Sequence, residues 1–75
     1  MEVSLNHLRP GTDACVVSVW GCEALCCSLR SVGVIPGSRL RCLGKSDNGQ
    51  VTALLVDGAC IRLQTRDLEK IRVCV

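Results

Sequence analysis

Aromatic side chains are almost missing from this sequence: it has no Phe and no Tyr, and Trp20 stands alone. A core built on rings is excluded, and so is a nucleic-acid surface made of stacking platforms, which needs several aromatics. Histidine is as scarce, His7 being the only one. No serine, histidine and carboxylate arrangement is suggested by any spacing in the chain. Charge of one sign is lacking too. Nine Lys/Arg stand against seven Asp/Glu, a net charge of +2. With no block of like charge, binding to a polyanion is not expected. No apolar run approaches the roughly 18 residues that span a bilayer, and Met1 to Pro10 has no basic-then-apolar signal pattern. There is no glycine-rich phosphate cradle. Asp13, Asp57 and Asp67 do not form an acid–base pair at helical or strand spacing. These absences point away from catalysis, membrane insertion and nucleic acid.

What remains is a 75-residue chain that is 48% apolar. That length makes one small domain, residues 1–75, which buries only about 60% of its unfolded surface. Val, Leu, Ile and Cys must fill the core. Seven cysteines are many for this length, but an odd number without a signal pattern argues against a disulfide framework. Cys15, Cys42 and Cys60 occupy positions where a strand takes a small apolar residue, a role free Cys fills. The chain reads as cytoplasmic and reduced.

The stretch Leu29-Arg30-Ser31-Val32-Gly33-Val34-Ile35-Pro36-Gly37 organises the rest. Helical spacing of Leu25, Leu29 and Val32 stops at Gly33, the residue type that ends a helix in the left-handed conformation. Pro36-Gly37 then turns the chain into a strand. The helix runs from Cys22 to Val32, with Cys22, Leu25, Leu29 and Val32 facing inward, Cys26 at the edge, and Glu23, Cys27 and Arg30 on the far side. Before it, Ala14 to Trp20 reads as a first strand whose imperfect alternation calls for a bulge near Val17-Ser18. After it, Ser38 to Leu43 is a second strand, with Leu40 and Cys42 inward and Arg39 and Arg41 outward. Asp57-Gly58 between Gln50–Val56 and Ala59–Gln64 is a two-residue hairpin loop, which pairs Val56 with Ala59 and Leu54 with Ile61. Short helical turns capped by Ser4 and Thr65 lay Leu5, Leu8 and Leu68 on the core. Ile71, Val73 and Val75 line one face of a last strand. The expected fold is mostly β: a small five-stranded SH3-like barrel with one α-helix inserted between the first two strands.

In order and spacing the chain resembles the FeoA family, accessory proteins of bacterial ferrous-iron transport. The resemblance is carried by Leu5-x-x-Leu8-x-x-Gly11-x-x-Ala14-x-Val16, Val19-x-Gly21, Leu29-x-x-Val32-Gly33-Val34-x-Pro36-Gly37, Leu40, Val56-x-Gly58, Ile61-x-Leu63 and Ile71-x-Val73. The chain departs from that family at Ser28, where a basic residue is common, at Gly49-Gln50, where Gly-Pro is common, and in the cysteine-rich segment Cys22 to Cys27. The resemblance implies a non-enzymatic cytoplasmic protein that binds and modulates a membrane ferrous-iron transporter through its GTPase domain. No cofactor is expected, with iron or zinc as the alternative.

Trp20 ends the first strand beside the helix and either caps the core or, if exposed, anchors a partner, since tryptophan is enriched at such contacts; with Glu23, Cys27 and Arg30 it makes up the candidate partner-binding residues. Cys22, Cys26 and Cys27 are the alternative, a thiol site for iron, zinc or an iron–sulfur cluster, or a redox-responsive one. Their Cys-x3-Cys-Cys spacing is not that of a structural zinc site, so no metal is favoured. His7 reads as a surface residue. Cys60 and Cys74 fall in strands, Cys74 near an exposed end. Arg39, Arg41, Arg62 and Arg66 form either an acidic-partner surface or an ordinary solvated face. A nucleic-acid-binding barrel is the remaining alternative, and a weak homo-oligomer is compatible with any of these.

Overall fold

Asp57 and Gly58 both take positive φ, 47° and 89°, as the expected two-residue loop requires. The loop joins β4 (Val51–Val56) to β5 (Ala59–Gln64) and sets Val56 against Ala59 and Leu54 against Ile61. The computed structural model describes residues 1–75. Around the hairpin it places β1 (Glu2–Ser4), β2 (Asp13–Val19), the helix α1 (Glu23–Ser31), β3 (Arg39–Lys45) and β6 (Ile71–Cys74). Two 3-10 turns, Leu5–His7 and Thr65–Lys70, precede β2 and β6.

The six strands form one sheet in the order β1-β6-β2-β3-β4-β5, with every pair antiparallel. The expectation of a closed five-stranded barrel is corrected in two ways. Glu2–Ser4 is a sixth strand, running from Glu2 opposite Cys74 to Ser4 opposite Arg72. Three residues are too few to show alternation. The sheet also stays open, because β1 and β5 are its two edges and do not pair. The helix therefore lies between the second and third strands of the chain. The β2–β6 pair slips in register between Val16 and Ser18, which is the bulge the broken alternation called for. Val16 is buried and Val17 is turned out.

One face of the sheet carries Ala14, Val16, Leu40, Cys42, Leu54, Val56, Ile71 and Val73, and Leu5, Leu8, Leu29, Val34 and Leu68 close over it. The helix is held there by Leu29, only 1% exposed, a burial worth about 1.5–3 kcal/mol. Its C-terminus is closed by Gly33 at φ 90°. The Gly33 N–H donates to the Arg30 carbonyl at 3.1 Å and the Val34 N–H to the Leu29 carbonyl at 2.9 Å, the two bonds of a Schellman cap. Ile35-Pro36-Gly37-Ser38 then turns, the Ser38 N–H donating to the Ile35 carbonyl at 3.0 Å. The buried Ser38 hydroxyl donates to the Gly33 carbonyl at 2.6 Å, which fastens the turn to the end of the helix.

Several side chains lie elsewhere than their periodicity implied. Cys22 and Val32 are the N-cap and C-cap of α1, so they leave the helical face and are exposed. Val75 lies past the end of β6 and is exposed. Cys60 is exposed because it lies opposite Leu55 on the outer face of the sheet, while its neighbour Ile61 packs toward the core. Neither Ser4 nor Thr65 caps through its side chain: Gln64, not Thr65, is the cap of the second turn. The Thr65 hydroxyl instead meets that of buried Thr52 at 2.9 Å.

Candidate functional site

The surface around α1 begins at the end of β2. The Trp20 N–H donates to the Lys70 carbonyl at 2.6 Å, so the backbone is fixed while the indole, 63% exposed, remains in water. Gly21 follows at φ 125°. That conformation is one an L side chain rarely adopts, so the backbone calls for glycine here; a Cβ would also lie 3.0 Å from the tip of the Leu25 side chain, in the first turn of the helix. Glu23 opens α1 and Arg30 lies in its last turn, placements that suit the helix dipole. Glu23, Cys27 and Arg30 follow the i, i+4, i+7 rule of one helix face, and all three are exposed. Neither Glu23 nor Arg30 is in an ion pair; those pairs are Arg41–Asp13 and Arg72–Glu2. A large apolar ring thus precedes a helix face that offers an unpaired acid at one end and an unpaired base at the other. Val32 and Ile35, 41% and 43% exposed, add apolar surface past its C-terminus. Helical periodicity assigned Val32 inward and missed it; the adjacent Gly33, which ends the helix, was the available signal.

The thiols at the same end do not assemble a metal centre. Cys22 and Cys27 are exposed and Cys26 is half-buried, its Sγ 3.9 Å from the Gly21 carbonyl. Nowhere in the molecule do three His, Cys, Asp or Glu side chains converge as a metal-holding group. Cys42, expected to pack, is buried, while Cys15 is half-buried. His7 is exposed in its terminal turn.

The arginines separate. Arg39 and Arg41 line a shallow open groove on the outer face of the sheet together with Asp13, Cys15, Leu55, Asp57 and Cys74. Arg62 borders a different hollow, beside Lys45 and Val51, and Arg66 lines neither. The groove is close to neutral, since Asp13 and Asp57 balance its two guanidinium groups. Arg41 grips Asp13 with two bonds, Nε–Oδ1 at 2.7 Å and Nη2–Oδ2 at 3.1 Å. That hydrogen-bonded guanidinium holds the Asp13 carboxyl below its ordinary range, and the Asp13 carboxylate in turn pushes Arg41 up. Both side chains are well exposed, so the pair orders the groove more than it stabilises the fold. No helix is long and apolar enough to cross a membrane.

This architecture recurs in solved structures. The FeoA protein from Chlorobium tepidum superposes with a TM-score of 0.92 at 25% identity, over 97% of this chain and 70% of that one. An iron uptake regulatory protein (FeoA) in a monoclinic crystal gives 0.87 at 25% identity, over 97% and 96% of the two chains. A manganese-dependent transcriptional repressor gives 0.88 at 23% identity. There 97% of this chain covers only 36% of the repressor, and the likeness is one of fold. No curated relative matches the chain. The family model described as the FeoA domain matches residues 3–75, and the chain belongs to the FeoA family, which is associated with ferrous iron transport.

Proposed function

We propose that this protein is a non-enzymatic cytoplasmic accessory of ferrous-iron uptake. In this reading it binds the cytoplasmic GTPase region of a membrane ferrous-iron transporter and modulates it, with no resident cofactor of its own. The observation that carries the reading is the family match over residues 3–75. The exposed Trp20 beside the Glu23–Cys27–Arg30 face of α1 supplies a surface of the right kind. Burial of a large ring at the centre of a contact yields the greatest gain in binding, and flanking charges select orientation and partner.

The test is calorimetric titration of the reduced protein into the GTPase region of the same organism's ferrous-iron transporter, with and without guanine nucleotide. Saturable binding is expected. Trp20→Ala should weaken it by about thirtyfold, the loss of a hot spot worth about 2 kcal/mol, and should leave the unfolding midpoint of the free protein unchanged. Absence of binding in both nucleotide states would overturn the partner assignment. Full affinity in the Trp20→Ala variant would move the contact off this face.

A further inference from the structure

Two of the seven thiols face each other. Cys15 on β2 is the direct register partner of Cys74 on β6. Opposed residues of an antiparallel pair point to the same side of the sheet, with Cα atoms about 4.5 or 5.5 Å apart according to the hydrogen-bond pattern. Both spacings fall within the roughly 4.4–6.8 Å that a disulfide bridges. Both residues line the same open groove on the outer face. Cys74 is exposed and Cys15 half-buried beside it. No other cysteines are paired across strands: Cys42 lies opposite Leu54 and Cys60 opposite Leu55, and the remaining three belong to α1 and its N-cap.

We propose that Cys15 and Cys74 are a cross-strand dithiol that closes reversibly to an intramolecular disulfide when it meets a low-molecular-weight disulfide such as glutathione disulfide. The Cys74 thiolate, on the open side, attacks one sulfur of the oxidant. A mixed disulfide forms and one glutathione thiolate leaves. The Cys15 thiolate then attacks the Cys74 sulfur and displaces the second glutathione thiolate. The two protein thiols together lose two protons and two electrons, and one oxidant disulfide becomes two glutathione thiols. The exposed member is attacked first because access governs exchange, and the opposed neighbour resolves it before a second oxidant molecule arrives. Closure ties the last strand to β2 and alters the wall of the groove that Asp13 and Arg41 order. The inference does not depend on the transporter reading.

The experiment is equilibration of the folded protein in glutathione redox buffers, alkylation of the remaining thiols, and intact-mass and tandem-mass mapping. The expected product is a monomer lighter by two hydrogen atoms, with Cys15 joined to Cys74 and the other five cysteines alkylated. Reductant should reverse it. The closed form should show a higher denaturation midpoint, since the bridge spans most of the chain. Cys74→Ser, a change at an exposed strand end, should abolish the bridge and leave Cys15 alkylated or carrying glutathione. Recovery of Cys15 and Cys74 unbridged in the most oxidising buffer would overturn the proposal. So would a bridge among Cys22, Cys26 and Cys27, or between two copies, in place of this one.

Discussion

Thr52 is the one fully buried side chain on the inner face of the sheet that carries a polar atom, and its hydroxyl is satisfied by a single neighbour, the Thr65 hydroxyl at 2.9 Å. A buried hydroxyl that loses its only partner costs about 1–3 kcal/mol, while removing both partners at constant shape is nearly neutral. Thr65→Val should therefore destabilise the protein by that amount. Thr52→Val combined with Thr65→Val should recover most of the loss. Urea unfolding of the two variants beside the wild type checks this, and equal destabilisation by the single and double variants would show that the pair contributes nothing. At this scale the sequence is legible only in part. Thr65 stands at the entrance of a helical turn and reads as a cap; its true partner lies on the neighbouring strand β4, thirteen residues away, and no local pattern announces it. Cys15 and Cys74 are further apart still, and each alone reads as a small apolar packer.

Elements whose geometry is decided within a few residues were readable. The Asp57-Gly58 loop dictates the β4–β5 register because two residues leave no slack. Gly33 ends α1 because the Schellman cap needs φ near 90° at that position. A Cβ on Gly33 would sit 3.7 Å from Val56 Cγ1, an ordinary contact. Gly33→Ala therefore isolates the backbone cost of a left-handed alanine, about 1–2 kcal/mol. For a domain of this size the thermal midpoint falls about 4–8 °C per kcal/mol, and circular dichroism melts should show a drop in that range. A variant that melts with the wild type would mean that the cap has relaxed to another form. β1 was not readable on the same terms, because three residues hold no period and their partners Arg72 to Cys74 lie at the far end of the chain. The candidate binding face was half legible. The helical stripe of Glu23, Cys27 and Arg30 follows from spacing, but the exposure of Val32 depends on where the helix stops.

Across the whole molecule, closure of the sheet is a collective property. Alternation tells each strand which face to bury, but whether the two edges meet depends on the summed twist and on an extra strand that periodicity does not reveal. The core closes by another route: the helix, the two 3-10 turns and the loop at Val34 cover the inner face with Leu29, Leu5, Leu8, Leu68 and Val34. Because aliphatic side chains and Cys42 fill that space, the only aromatic residue is free to stand outside it. Trp20 is 63% exposed in the folded chain and is hydrated in the unfolded one, so its surroundings change little on denaturation. Intrinsic fluorescence should therefore show only a small shift in emission maximum through a urea transition that far-UV circular dichroism records in full. A partner that buries the ring should shift the emission to shorter wavelength without changing the secondary structure. A strongly blue-shifted native spectrum that reddens together with the circular dichroism transition would show that Trp20 packs inside the fold, and the surface proposed for the transporter would lose its anchor.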